Sequence, residues 1–563
     1  MRLKSLTFIF LFFFFTGSIV NAQQKTIPTS PVEDTGRIVI IHRAEKSYLI
    51  KQDSLTEKII LVGKVFMQQG TTLFYCDSAV RDEKLNIIEA FGNIHINDGD
   101  SVHTYSQYLK YLGDTRIASF RKKVKLTDGK GVLTTEELDY DLNAKIGTYT
   151  NGGKLVNGSS VLTSKEGYYY ADTREAYFKD NVKLVDPEYT MATDTLLYNV
   201  DQQIATFVAA TTINDGKTTI YTRSGYYDLK NGTAHLGKRP IIEDSTQTII
   251  AEDIQYDKKS GNGIAKGSVI YRDTAQGTTI LAGLTEFNSN TKQVLATQKP
   301  VMILKQNNDS IYIAGDTLVS VLIADTMQSV KDSLSVTDTL NKAQVKNLTK
   351  TDSLTLLPAS DTLKGVQVKS TSSADSIRFF KAFHHVRIFS DSLQGVCDSL
   401  SYSALDSVFR FYKDPVIWAK DSQISGDTIY LFTKNKTADQ IFVFENGYSI
   451  NKTPENFYNQ IRGNRLNGYF KDGSIDYIRA KGNAESVYYL QDDDSAYLGM
   501  NYARADAISL YFVSKELKKV TWVNGVEGTT YPFKQIPEDK KTLRNFNWQE
   551  NRRPKTKYEL FGN

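Results

Sequence analysis

Cysteine, proline, histidine and tryptophan are all scarce, with 2, 11, 6 and 3 in 563 residues. Two cysteines cannot staple a chain of this length, so its fold must rest on apolar burial. The histidines His42, His95, His103, His235, His384 and His385 are scattered, and none stands at zinc-ligand spacing with cysteine or acidic partners. No cofactor motif is present, and none is expected to be bound. A strong charge of either sign is missing too: the formal net charge is +4, which argues against nucleic acid as a partner. After residue 22 no apolar run approaches the length of a membrane-spanning helix.

The N-terminus has a basic start at Arg2 and Lys4, an apolar run from Leu6 to Phe15, and small residues at Val20 and Ala22. That pattern predicts a secretory signal peptide over residues 1–22, cut between Ala22 and Gln23, and hence an exported chain. Tyrosine and phenylalanine are abundant, at 33 and 28, and with plentiful Thr and Val they favour strands.

Those strands repeat. Ile249 to Arg272 reads as two apolar-alternating runs joined by a polar turn at 257–263, the mark of a β-hairpin with one buried face. Its relatives are aligned by a short anchor, such as Gly63-Lys64-Val65, Gly92-Asn93-Ile94, Lys122-Lys123-Val124, Gly153-Lys154-Leu155, Asp180-Asn181-Val182 and Gly267-Ser268-Val269. Taken at Val65, Ile94, Val124, Val182, Ile213, Ile241, Val269 and Val301, the anchors recur about every 30 residues. Between them runs a second phrase, an acidic residue followed at two-residue steps by Leu or Ile and often Tyr: Glu136, Leu138, Tyr140; Asp194, Leu196, Tyr198; Glu252, Ile254, Tyr256; Asp316, Leu318. Side chains alternate across a strand, so each set shares one face.

The repeats predict an N-terminal β array over 37–323. A Ser/Thr/Asp/Lys-rich stretch at 324–376, too poor in apolar residues to offset its ordering entropy, reads as an insertion on one rung or a linker. A second array over 377–530 resumes the pattern with anchors at Val386 and Val416 and the phrases Asp398, Leu400, Tyr402; Asp427, Ile429; and Asp506, Ile508. Residues 531–563 form a polar, basic tail that reads as an extended or disordered end. Strands of about 13 residues are too long to lie flat with one face wet, so each is expected to bend at its small or Gly-Asn middle. The fold class is all-β: an elongated, folded-over antiparallel sheet of about 30-residue repeats.

The export signal, the repeat, the Gly92-Asn93-Ile94 type of anchor and the phrases at Ala192 to Tyr198 and Ala251 to Tyr256 together resemble the OstA-like family. This family includes periplasmic lipopolysaccharide-transport protein A and the N-terminal domain of transport protein D. The resemblance implies an OstA-like β-jellyroll in the periplasm, with association to the outer membrane left open. Its slot shields the acyl chains of lipopolysaccharide or a related lipid, and it stacks end to end with other β-jellyroll transport components by strand pairing. Outer-membrane components are further candidate partners, and an enzymatic role is not implied. On this reading the slot is lined by Val65, Val124, Leu126, Leu138, Tyr140, Val182, Leu184, Leu196, Tyr198, Ile254, Tyr256, Val269, Leu318, Leu400, Tyr402, Ile429 and Ile508. The alternative is a structural or adhesive cell-envelope β-repeat protein whose inner face is simply core.

Other residues read more plainly. Cys76 and Cys397 stand about ten repeats apart, so each is expected to be a small buried residue and not half of a disulfide. His95 and His103 fall on consecutive strands, where they could meet across a rung, but exposed strand positions are the favoured expectation. The recurrent acidic residues are expected at the strand bends, accepting backbone N–H bonds, and not as catalytic or calcium-binding rows. The basic run Arg121, Lys122, Lys123 and Lys125 reads as a solvated rim.

Overall fold

The computed structural model describes residues 39–561, except 54–55, 99–101, 306–309, 325–375, 435–436, 472–473, 493, 495 and 514–515. The predicted signal peptide and nearly all of the 324–376 stretch therefore lie outside the described residues. Every described element is an antiparallel strand, apart from short 3-10 turns after Pro532. The described residues form two compact units, divided between Arg116 and Ile117.

In the first unit Ile40–Arg43 and Lys46–Asp53 both pair with Thr56–Gln69, and Thr72–Asp82, Ile87–Asp98 and Val102–Leu112 continue as a meander. Leu61, Val65, Met67, Ala79, Ala90, Ile94 and Leu109 are buried. The edge contributes exposed Ile40, Ile41, Tyr48, Leu49 and Ile50. Ile40–Arg43 and Lys46–Asp53 show no strand pairing besides the one to Thr56–Gln69 among the described residues.

The second unit repeats one motif: a strand that runs through a bend, half in one limb and half in another. Ile117–Thr127, Gly131–Asp141, Glu175–Val185 and Thr190–Asn199 run through whole. Elsewhere the chain breaks at the bend, so that Gly153–Asn157 and Ser160–Ser164 belong to the first limb while Ile146–Tyr149 and Glu166–Tyr170 belong to the second. The result is a folded-over antiparallel sheet whose inward side chains meet between limbs.

The bend itself is a β-bulge. Phe120 pairs with Leu138 and Val124 with Thr135, so Lys122 and Lys123 together oppose Glu136. Both lysines have positive φ, at 66° and 54°. Paired positive-φ residues recur at Gly63–Lys64, Gly92–Asn93, Asp180–Asn181, Lys238–Arg239, Gly267–Ser268, Gln298–Lys299, His384–His385, Lys413–Asp414, Glu445–Asn446 and Gly482–Asn483. An extra residue on one strand bends that strand, sharpens its local twist and re-aims the side chains beyond it. It also shifts the burial phase: in Gly131–Asp141 the inward residues are Leu133 and Thr135 before the bulge, then Leu138 and Tyr140 after it.

Three anchors shift from their predicted places. After the bulges at Lys238–Arg239, Gln298–Lys299 and Lys413–Asp414 the next buried position is Pro240, Pro300 and Pro415, one residue before Ile241, Val301 and Val416. Proline donates no ladder hydrogen bond and fits where a strand restarts, which the choice of the neighbouring aliphatic residue overlooked.

Across the undescribed 325–375 the sheet continues without a gap. Thr317–Ala324 pairs with Ser376–Phe389 residue by residue, from Thr317 with Phe383 to Ala324 with Ser376.

The tail corrects a second expectation. Instead of trailing free, residues 533–561 lie across the outer face of the first limb. There Gln423 is fully buried: its Oε1 accepts from Trp418 Nε1 (3.2 Å) and Gln549 N (2.7 Å), while its Nε2 donates to Asn547 O (2.8 Å). Leu543 packs with Tyr448, Ile450, Val487, Tyr489 and Met500, and Leu560 with Val301 and Ala314. Arg552 bonds Asp414 at 2.7 Å and Arg553 forks onto Gln394 Oε1 at 2.9 and 2.7 Å. The tail looks polar as a string, but its few apolar residues are spaced to fall on an apolar stripe that two-sided burial of these strands requires.

Candidate functional site

The site is the enclosed interior between limbs. Of the seventeen slot residues, fifteen are buried: Val65 in the first unit, and Val124, Leu126, Leu138, Tyr140, Val182, Leu184, Leu196, Tyr198, Ile254, Val269, Leu318, Leu400, Ile429 and Ile508 in the second. Tyr256 and Tyr402 are half-buried. Rings touch across the interior, as where Tyr189 meets Tyr227 at 5.5 Å.

These side chains fill the space themselves. The void ringed by Leu126, Leu133, Tyr149, Leu155, Phe178 and Val200 is ≈ 20 Å³, and that beneath Ile242, Ile249, Tyr271 and Phe287 is ≈ 30 Å³. Each is water-sized. Neither void admits a molecule the width of an acyl chain.

What holds the limbs together at their far ends is a row of polar contacts. First-limb hairpins turn at Asp128, Asp215, Asp244 and Asp273, and in each the Asp Oδ1 accepts backbone N–H bonds of its own turn: from Gly131 (2.8 Å), Thr218 (2.7 Å), Gln247 (2.7 Å) and Gln276 (3.1 Å). This Asx turn is the local reason for aspartate. The second oxygen is left to face the other limb. Asp244 Oδ2 takes Lys292 Nζ at 2.8 Å, Asp128 Oδ2 takes Tyr169 OH at 2.9 Å with Arg174 at 3.8 Å, Asp215 Oδ2 lies 3.9 Å from Lys258, and Asp273 Oδ2 pairs with Arg378. Lys258 also reaches Glu188 at 3.2 Å, and Asn157 Nδ2 donates to Tyr198 OH at 3.1 Å. Polarity is mixed at the first crossing, where Lys130 pairs with Asp201.

Electrostatics follow the geometry. Burial opposes ionisation of Asp128 and Asp244 but is outweighed. For Asp128 the N–H groups of Gly131 and Lys130, Tyr169 OH and Arg174 hold the carboxyl below its ordinary value. For Asp244 the Lys292 ammonium and the N–H groups of Thr246 and Gln247 do the same. The Asp273–Arg378 pair is buried on both sides, at 2% and 5% exposure, with Arg378 also donating to Ser320 Oγ.

The bend carboxylates behave differently from expectation. They sit at the bulges, but mostly they do not accept backbone N–H bonds; their own N–H groups donate to bulge carbonyls. Glu45 N donates to Val62 O and Gly63 O at 3.0 Å, Glu252 N to Lys266 O and Gly267 O at 3.1 and 3.0 Å, and Asp316 N to Phe383 O and His384 O at 3.0 Å. The carboxylates take bulge side chains instead: Asn93 on Asp77 at 2.9 Å, Arg239 on Glu252, His385 on Asp316 at 2.9 Å, His384 on Asp398 at 3.2 Å and Asn446 on Asp427 at 3.1 Å. Lys123 N does reach a bend carboxylate, Glu136, at 3.4 Å. Bulged strands turn carbonyls outward, and a neighbouring N–H answers them. These acids thus serve the bends.

His95 and His103 also depart from expectation. His95 Nε2 and His103 Nδ1 are 3.1 Å apart, half-buried, within a stack of rings running Phe66, Tyr75, His95 and Tyr105. Burial, then His103, lowers the pKa of His95. Cys76 and Cys397 are buried free thiols, as expected, each pushed up to about 12 chiefly by burial.

The turn aspartates were missed by the sequence reading, which attended to the acidic residue after each bend. The signal was there: Asp215, Asp244 and Asp273 recur one repeat apart, each opening a short polar turn.

No curated protein matches the chain. Among solved structures, LptH of Pseudomonas aeruginosa, described as the LptA homologous periplasmic component of the conserved lipopolysaccharide transport device, matches at 15% identity and a TM-score of 0.18. The overlap covers 18% of this chain and 79% of that one. Residues 36–194 match the family model described as OstA-like protein. Over that stretch the chain is similar to the OstA-like family.

Proposed function

We propose that the chain is an exported, non-enzymatic carrier or bridge in lipopolysaccharide transport, binding lipopolysaccharide or a related lipid by its acyl chains. The observation that carries this reading is the rung-to-rung apolar interior, in which repeat after repeat contributes inward Leu, Ile, Val and Tyr side chains within an OstA-like sheet. Each methylene taken from water contributes about 0.8 kcal/mol. Site residues are Val65 in the first unit and, in the second, the interior residues from Val124 to Ile508. The location is the periplasm, after removal of residues 1–22, with association to the outer membrane left open. The repeats over 37–323 and 377–530 carry the interior, and 324–376 interrupts it only in sequence.

Partners are suggested by the edges. The exposed strand at Lys46–Asp53 in the first unit, with Tyr48, Leu49 and Ile50 exposed, and Glu527–Pro532 in the second each offer a row of backbone groups to an added strand. Other β-jellyroll transport components would join there by end-to-end pairing.

The filled interior favours a second reading, a structural or adhesive envelope protein with no lipid ligand. Photo-crosslinking in an envelope extract separates the two. A photoreactive residue at Ile254 or Leu196, both 0% exposed, should capture lipid while one at the exposed neighbour Gln255 does not. Equal capture at all three positions, or none at any, removes the carrier reading.

A further inference from the structure

We infer that the row of cross-limb pairs is an openable seam, and that Lys258 and Lys292, once released from their carboxylates, receive the phosphate of an acyl amphiphile whose chain enters the interior. This rests on the carrier reading and adds to it the route of access and the site of the head group.

Three observations support it. The limbs are joined at the seam and the two voids described beneath it are water-sized, so a long chain needs the limbs to part. Behind Asp244 and Lys292 lies apolar wall, with Ile242, Ile249, Tyr271 and Phe287 directly beneath the pair. Polarity is also arranged by limb over the crossings from Glu188 onward: carboxylates Glu188, Asp215, Asp244 and Asp273 come from the first limb, cations Lys258, Lys292 and Arg378 from the second. Opening therefore leaves a line of cations on one lip, and an anion is what replaces a lost carboxylate.

The pairs suit opening because most are partly wet. Lys258 and Lys292 side chains are 28% and 29% exposed, and Asp215 and Asp244 25% and 22%. Such pairs are weak and salt-sensitive. Asp273–Arg378 is dry, which makes it a fixed hinge point at one end of the row and no part of the moving stretch. The turn chemistry also separates two roles. Each aspartate commits Oδ1 to its own turn and Oδ2 to the seam, so asparagine keeps the turn and discards only the charge.

The test uses the full chain with Ile249→Cys as an interior reporter and Gln255→Cys as an exposed reference. In D215N/D244N, maleimide labelling of the interior cysteine should run at least about fivefold faster than in the unaltered seam. Raising salt from about 50 to 500 mM should speed the unaltered seam in the same direction. Hexadecyl phosphate and hexadecanol are then titrated. Measured against D215N/D244N, in which the same pairs are broken, K258Q/K292Q should bind hexadecyl phosphate about tenfold more weakly with equal hexadecanol affinity. Unchanged labelling in D215N/D244N overturns the seam as a closure. Faster labelling with hexadecyl phosphate affinity untouched in K258Q/K292Q overturns the head-group site. Faster labelling with neither amphiphile bound by any variant overturns the carrier reading itself, and the assigned ligand with it.

Discussion

At the bends, single residues carry backbone strain that the repeat cannot do without. Gly267 (φ 77°) and Ser268 (φ 43°) form one such bulge, and a Cβ on Gly267 would come within 2.8 Å of Glu252 Cγ. A β-branched side chain in this conformation costs about 2 kcal/mol or more. Gly267→Val should therefore lower stability by at least that much in denaturant melts, while Ser268→Gly, which exchanges strain for chain entropy, should stay within about 0.5 kcal/mol. Equal losses would show that the bulge owes nothing to its φ values. Legibility follows the same line. Gly63, Gly92, Gly267 and Gly482 betrayed the bends because glycine is the residue chemistry prefers at positive φ. Lys122–Lys123 and His384–His385 adopt the same geometry with side chains that announce nothing, and were found only by their spacing.

The histidine pair gives a pH dependence. His95 has its pKa lowered, so the unfolded chain binds the proton more readily than the folded one. The stability it contributes is complete above the unfolded value, near 6.5, and is lost as pH falls below it. Thermal melts at pH 7.5 and 5.5 should differ for the parent, and His95→Phe, which keeps a ring in the stack, should shrink the difference. An unchanged difference would assign the slope elsewhere. The two thiols offer a cleaner negative. With values raised to about 12, only about one in 10⁴ is thiolate at pH 8, and both are buried. Cys76 and Cys397 should resist iodoacetamide in the folded chain and react in denaturant, as read by mass spectrometry.

Among the elements, the C-terminal strap was the least legible. A sequence of Lys, Arg, Asn and Glu around a few apolar residues looks like a solvated end, because its partners lie tens to hundreds of residues earlier and on the outer face of strands whose inner face already explained their apolar pattern. Residues 416–418 and 447–450 are buried without alternation, and only a second covering layer accounts for that. Leu543→Ala should cost about 2–4 kcal/mol by leaving a cavity against Tyr489 and Met500. Gln423→Leu should release the strap differently, since it strands the Trp418 indole N–H, Asn547 O and Gln549 N–H, each worth about 1–3 kcal/mol when buried unpaired. Limited trypsin digestion at Lys540, Lys541 and Arg544 reads both; resistance equal to the parent would mean the strap is held from elsewhere.

For the whole molecule, the question is whether the repeats on either side of residues 325–375 act as one stack or two. In a stack each rung is stabilised by its neighbours, so continuity of the ladder decides cooperativity. Ala324 pairs with Ser376, Val321 with Phe379 and Ile313 with Ile388, which places the two sides in one uninterrupted ladder. The ladder then passes from Ala324 to Ser376 without calling on the intervening stretch. Loop-closure entropy grows with the logarithm of length, so replacing about 50 residues by a two-residue Asn-Gly turn should stabilise the folded state by about 2–3 kcal/mol. The shortened chain should melt in a single transition at or above the parent's temperature. If the two arrays were separate bodies joined by a spacer, the same deletion would strain their junction, and the melt would fall or split in two.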